Sequence, residues 1–194
     1  MRIGLISDTH IPEARHELWP QVFHAFRNVD YILHAGDIHD LSVLDRLSEV
    51  ATTYAARGNG DEGLGGRPRQ PDDPRLKNAW VLELDGLRIG LVHDMPIPEN
   101  PPHLLVENAL IRHFKRTDLN IVVYGDTHVE SIDRINGILC VNPGSPTYPH
   151  NLNTQHGTIG FLESAPGARP QVSIWRITDE GIEPFTWGRW GRPW

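Results

Sequence analysis

The sequence predicts an α/β fold in which two mixed β-sheets face each other with helices outside. Two patterns point there. Residues 2–56 read strand, helix, strand, helix, strand, the order that builds a parallel sheet with helices packed on it. The second half is rich in strand-length apolar runs, which calls for a second sheet. A chain of 194 residues suits one domain, and at that size roughly 70% of the extended-chain surface can be buried. Residues 1–194 are therefore read as a single domain.

The elements follow in order. Arg2–Ser7 is a short Ile- and Leu-rich run that ends in a polar cluster, as a buried strand does. Glu17–Phe26 carries Leu18, Val22 and Phe26 at helical spacing. Tyr31–Leu33 is a second buried strand. Leu41–Val50 sets Leu41, Leu44, Leu47 and Val50 on adjoining helical turns, and Thr52–Ala56 is the third strand. Gly58, Gly60, Gly63, Gly65 and Gly66, then Pro68, Pro71 and Pro74, mark a long irregular loop. Ala79–Leu84 and Leu87–Val92 flank Asp85-Gly86, a strong hairpin signal. A proline-rich connector leads to His103–Arg116, an amphipathic helix with Leu104, Leu105, Ala109, Ile111 and Phe114. Leu119–Tyr124, Val129–Arg134, Ile138–Val141, Thr158–Glu163, Val172–Ile177 and Ile182–Thr186 are strand-sized, with a hairpin turn at Asn136-Gly137.

Composition narrows the function. Apolar residues make up 39% and charged residues 22% of the chain, as in ordinary globular proteins. No apolar run approaches the ~18 residues of a membrane helix, and Met1-Arg2 opens no signal peptide. A single cysteine, Cys140, excludes disulfide architecture and suits a reducing cytoplasm; it reads as a small buried hydrophobe. Eighteen basic against 25 acidic side chains give a net charge of −7, which argues against a general nucleic-acid surface. A small phosphorylated ligand remains compatible if a local positive charge, such as a metal, offsets that background.

Eleven histidines are present, and their neighbours matter more than their number. Ser7-Asp8-Thr9-His10 follows the first strand, His34-Ala35-Gly36-Asp37 the second, and Arg57-Gly58-Asn59-Gly60-Asp61 the third. His93-Asp94 closes the hairpin, and Gly125-Asp126-Thr127-His128 follows the strand after the long helix. The carboxyl ends of strands are where open α/β sheets bind ligands. Carboxylate, imidazole and amide oxygen are donors suited to a two-metal centre, and neighbouring glycines let the backbone approach closely.

This ordered set resembles the calcineurin-like metallophosphoesterase superfamily, in particular its small cap-less prokaryotic phosphodiesterase branch, whose fold is an αββα sandwich. The motifs run from Asp8 to Ser145. The resemblance implies two divalent ions, Mn²⁺ foremost with Mg²⁺, Fe²⁺, Ni²⁺ or Zn²⁺ as alternatives. Asp8, His10 and His128 would hold the first ion, Asp37 would bridge, and Asn59 and His93 would hold the second. It further implies hydrolysis of phosphoric esters, phosphodiesters foremost, by a metal-bridging hydroxide, with Asp37, Asn59 and Asp61 among the residues of the catalytic motifs. The family usually has Gly-His-Thr-His where this chain has Gly-Asp-Thr-His. Asp126 is read as ligating the second ion through oxygen, the alternative being a side chain too short to reach it. Many members also carry a histidine at the position of Gly60 as the leaving-group acid; here His39 is the nearest candidate in sequence.

Taken singly, the same residues have plainer readings. Asp8 and His10 suit local caps, Asp37, Asn59 and Asp61 suit turns, and His93 and His128 suit half-buried packing. Their order at successive strand ends favours the metal. His34 is read as bonding backbone; His16, His24, His103, His113 and His156 as surface or packing residues. Asn142-Pro143-Gly144-Ser145 is a turn that in the family lies beside the site, and Arg57 and His150 are read as structural first and substrate contacts second. The resembled branch also includes the retromer scaffold subunit, so a protein-interaction scaffold is the rival function, and a non-hydrolysing sensor a third. The tail Phe185–Trp194, with three tryptophans, reads equally as a pinned chain end or a homo-oligomer contact.

Overall fold

The computed structural model describes residues 1–97, 103–151, 156–165 and 167–187. Its strands are β1 (Arg2–Ile6), β2 (Tyr31–His34), β3 (Thr52–Ala56), β4 (Leu76–Lys77), β5 (Ala79–Leu84), β6 (Leu87–Val92), β7 (Ile121–Val123), β8 (Ser131–Ile135), β9 (Ile138–Asn142), β10 (Thr158–Glu163), β11 (Gln171–Ile177) and β12 (Ile182–Pro184). The α-helices are α1 (Pro20–Phe26), α2 (Ser42–Ser48) and α3 (His103–Phe114). One sheet has the order β12-β11-β10-β1-β2-β3-β4 and the other β5-β6-β7-β9-β8. Both are mixed: β1, β2, β3 and β4 run parallel and β10 antiparallel to β1, while β6, β7 and β9 run parallel and β5 and β8 antiparallel at the edges.

Alternation along the strands sorts the core into three layers. Ile3, Leu5, Leu33, Ala35, Ile89, Leu91, Ile121, Val123 and Val141 meet between the sheets. The opposite faces of β1 and β2, through Ile6 and Ile32, pack on Val22 and Phe26 of α1 and Leu44 and Leu47 of α2. Val92, Val122 and Cys140 pack on Val106, Leu110 and Phe114 of α3. The facing-sheet sandwich with outer helices is thus the one the sequence predicts. Cys140 is buried, and burial pushes its thiol up to about 12.

The differences are local. Helix α1 begins at Pro20, whose fixed φ suits a first helical turn while Trp19 before it stays extended. The face of α3 is turned from the predicted one: Val106, Ala109, Leu110 and Phe114 are buried, and Leu105 and Ile111 lie exposed. The predicted irregular loop contains a 3-10 turn at Leu64–Gly66 and the two-residue strand β4. Among the described residues no helix is long and apolar enough to cross a membrane. Phe185 packs against the inter-sheet core; residues 188–194 of the proposed tail contact lie outside the described residues.

Candidate metal centre

Register brings the polar strand ends to one level. Ile6 pairs with His34, and His34 with Ala55, so β1, β2 and β3 leave the first sheet together. Leu91 pairs with Val123, and Val123 with Val141, so β6, β7 and β9 leave the second at one level too. The turns that follow are unusual. Among the described residues nine non-glycine residues have positive φ, and six of them are Asp8, His10, Asp37, His39, Asp126 and His128. Each pair is an Asp-x-His segment. Left-handed backbone at such residues costs about 1–3 kcal/mol and concentrates at functional sites. The turns are laced together: the Asp8 N–H donates to Gly36 O at 2.9 Å, the His10 N–H to Asp37 O at 3.0 Å and the Gly125 N–H to His93 O at 2.8 Å.

The side chains converge. Asp37 lies between two imidazoles, with Oδ2 3.4 Å from His10 Nε2 and Oδ1 3.6 Å from His93 Nε2. His128 Nε2 is 3.6 Å from Asp8 Oδ1. Asp126 Oδ1 is 3.5 Å from His93 Nε2 and 3.5 Å from Asn59 Nδ2. Donor atoms of Asp8, His10 and His128 lie within 4.8 Å of one another, as do those of Asp8, Asp37 and His93. Asp8, His10, Asp37, Asn59, His93, Asp126 and His128 are therefore gathered in one place, and Asp126 reaches the cluster.

Several of these side chains are aimed by backbone. His93 Nδ1–H donates to Ala35 O and His128 Nδ1–H to Tyr148 O, each at 2.8 Å. Both imidazoles thus present Nε2 inward, the arrangement that orients metal-binding histidines. The Gly60 N–H donates to Asp37 Oδ1 at 2.8 Å. Gly58 leaves room for that carboxylate, since a Cβ there would sit 2.1 Å from Asp37 Oδ1.

The chemistry of the donors fits a divalent cation. Asp8 Oδ2, His10 Nε2 and His93 Nε2 are buried without a hydrogen-bond partner among the described residues, a costly state that a cation would relieve. Burial pushes Asp8 up to about 7, outweighing the attraction of His93. It pushes His10 down to about 3, reinforced by His39. His93 goes the other way: burial disfavours its charge, but Asp126, Asp8 and Asp37 raise it to about 10. Burial would also raise Asp37, yet the His39 and His93 imidazoles and the Gly60 N–H hold it well below the usual carboxylate range. The protons on Asp8 and His93 are those a metal would displace.

Asp61 has a different place from the one its motif suggested. It is fully buried and faces backbone: Oδ1 accepts from Ile38 N–H at 3.0 Å and His39 N–H at 2.9 Å, and Oδ2 from Gly58 N–H at 2.9 Å. It shapes the turns that carry Asp37 and Asn59. Burial pushes its carboxyl up, partly offset by the His39 and Gly58 N–H groups. Asn142 and Ser145 likewise face the loops. Asn142 Nδ2 donates to Gly125 O at 2.8 Å, and Ser145 Oγ donates to Asp8 O at 2.7 Å. Arg57 donates to Gln70 O and Pro71 O, both at 2.8 Å. His34 accepts from Gly36 N–H at 3.2 Å and reaches Thr9 Oγ1 at 3.1 Å.

His39 is buried, with neither ring nitrogen hydrogen-bonded among the described residues. Its Nδ1 is 3.4 Å from Glu13 Oε2 and its Nε2 3.9 Å from Asp37 Oδ2. A Cβ on Gly60 would lie 2.2 Å from His39 Nε2, so the His39 ring fills the space beside Gly60. Glu13 has no strand-end signature in the sequence, yet it forms a third donor group with His10 and His39. Arg67 holds both Glu13 oxygens, at 2.6 and 2.8 Å from its Nε, and its charge opposes a cation there.

A model of the calcineurin-like phosphoesterase superfamily domain matches residues 1–165. The chain belongs to that superfamily. A probable metallophosphoesterase of Methanocaldococcus jannaschii is 36% identical over 151 residues, covering 77% of this chain and 70% of the relative. A phosphodiesterase of the same organism is 25% identical over 171 residues, covering 84% and 93%. Among solved structures, vacuolar protein sorting 29 of Cryptosporidium parvum matches with a TM-score of 0.72 at 21% identity, covering 94% of both chains, a likeness of fold. Within this phosphoesterase superfamily the converging donors form a candidate site for divalent metal.

Proposed function

We propose that the protein is a metal-dependent phosphodiesterase of a reducing, cytoplasmic compartment that uses two divalent cations, Mn²⁺ foremost. The observation that carries this is Asp37, whose two oxygens face His10 and His93 separately: His10 belongs to the donor group of Asp8 and His128, and His93 to that of Asp8 and Asp37 itself. Asp8, His10 and His128 would hold one cation, Asn59, His93 and Asp126 the other, and Asp37 both. When bound, such a pair supplies a hydroxide nucleophile near neutral pH and neutralises charge on a phosphoryl group. The chain's own part is orientation: the Ala35 and Tyr148 carbonyls fix His93 and His128, and the Gly60 N–H steadies Asp37. We assign protonation of the leaving oxygen to His39, whose ring nitrogens make no hydrogen bond among the described residues and whose Nε2 stands 3.9 Å from Asp37 Oδ2. The relative named as a phosphodiesterase supports the diester preference.

A protein-interaction scaffold, the rival reading, has the likeness of fold to vacuolar protein sorting 29 behind it. Buried, unpartnered metal donors weigh for catalysis, because a scaffold has no physical need of them. Hydrolysis of bis(p-nitrophenyl) phosphate, with and without Mn²⁺, tests the choice. Wild-type protein should turn over only with a divalent cation, and Asp37→Ala should lose turnover while unfolding cooperatively as before. No rate above background with any of the five named ions would overturn the enzyme reading.

A further inference from the structure

The segment after β9 carries two aromatic rings to the rim of the metal centre. Tyr148 lies with its ring centroid 5.2 Å from that of His128 and 5.7 Å from that of His10. His150 stacks on His128 at 4.4 Å with 23° between planes, and stands edge-on to Tyr148 at 5.7 Å. Tyr148 is nevertheless 53% exposed. Of the large apolar side chains left exposed among the described residues, namely Leu64, Leu105, Ile111, Tyr148 and Trp187, it is the one in ring contact with the candidate ligands.

The backbone that carries the two rings is tied down. Thr147 Oγ1 donates to Thr9 O at 2.6 Å, the Tyr148 N–H to Ser145 Oγ at 2.8 Å, and the His150 N–H to His128 O at 3.2 Å. Tyr148 O accepts from His128 at 2.8 Å. An aromatic ring carried on a tied backbone and set edge-on against His10, His128 and His150 stacks a planar partner with reduced ordering cost, and stacking tolerates any base because every base has a π-face. Packing of the ligand histidines alone would be served as well by an aliphatic side chain.

We propose that Tyr148, backed by His150, is a stacking platform for a nucleobase carried by the substrate. The substrates would then be nucleotide-type phosphodiesters. This rests on the phosphodiesterase reading above and adds the substrate class to it. Tyr148 is a specificity residue here; it moves no proton and holds no ion.

The test compares adenosine 5′-monophosphate with glycerol phosphate, which share a phosphomonoester and differ in the base. Binding of each to Mn²⁺-loaded protein is measured by calorimetry for wild type, Tyr148→Phe and Tyr148→Leu. The nucleotide should bind wild type and Tyr148→Phe more tightly than glycerol phosphate, by roughly 5- to 100-fold for one stacked base. Tyr148→Leu should abolish that preference and leave glycerol phosphate within about twofold of its wild-type affinity. Equal affinities in wild type, or a Tyr148→Leu loss shared by both ligands, would overturn the platform; the shared loss would mean that the ring only props the histidines. Failure to hydrolyse bis(p-nitrophenyl) phosphate is read separately. It would sink the enzymatic reading and leave the base preference to be judged by calorimetry.

Discussion

Asp61→Ala separates an organising residue from a catalytic one. The fully buried carboxylate accepts three N–H groups at 3.0, 2.9 and 2.9 Å, from Ile38, His39 and Gly58. Hydrogen bonds to a charged group contribute about 1.5–3 kcal/mol each, and an orphaned buried donor costs about 1–3 kcal/mol. These are offset in part by the desolvation that the carboxylate itself no longer suffers. The net loss should be about 3–5 kcal/mol, a large share of the ~5–15 kcal/mol that holds a domain folded. Asp61→Asn keeps one oxygen for Ile38 and His39 but sets an NH₂ against the Gly58 N–H, and should cost about half as much. Urea unfolding in EDTA, followed by tryptophan fluorescence, reads both variants without a metal contribution. A cost below about 1 kcal/mol for Asp61→Ala would refute the organising role. Unchanged stability with hydrolysis lost would restore the catalytic role that the motif suggested.

Three further outcomes are expected. His34 is buried and neutral, pushed down to about 3 chiefly by burial, with Nδ1 already accepting from Gly36. Because the unfolded chain takes up this proton below about 6.5 and the folded chain does not, stability falls with decreasing pH, by about 1.4 kcal/mol per pH unit for one group. Metal-free wild type should therefore lose on the order of 2 kcal/mol more than His34→Gln between pH 6.5 and 5, and parallel urea curves would refute this. Gly58→Ala places a Cβ 2.1 Å from Asp37 Oδ1 and 2.3 Å from Asp37 N; calorimetric titration should show Mn²⁺ affinity weakened about 10- to 100-fold. Chelation should lower the thermal midpoint. At a free Mn²⁺ of 100 times Kd the ion contributes about 2.7 kcal/mol, or on the order of 5–10 °C for a chain of this size. An unchanged midpoint would mean that no ion binds the native state.

Much of the fold was legible because strand length and turn chemistry are local. The hairpin Ala79–Leu84 and Leu87–Val92 around Asp85-Gly86 appears with the predicted bounds. The face of α3 is less legible, because Leu105 with Ala109 satisfies an i, i+4 spacing that Val106 with Leu110 satisfies equally, and the facing sheet decides between them. The donors at the strand ends were legible from residue type and order. Their left-handed backbone was not, since nothing in Asp-x-His demands it. Asp61 shows the limit most plainly: beside Asn59 it carries the same chemistry, yet the neighbouring N–H groups turn it away from the cluster. Glu13 and Tyr148 enter only because their loops fold back over His39 and His128.

Each of the two donor groups takes members from both halves of the sandwich. Asp8, His10 and Asp37 follow strands of the seven-stranded layer, whereas His93 and His128 follow strands of the five-stranded layer. An ion held there would act as a cross-link, tying position 8 to position 128 and closing a long chain loop much as a disulfide would. A protein with a lone cysteine would thus have a clasp that opens by chelation instead of reduction, and the availability of metal in its surroundings would set how tightly the two layers stay shut.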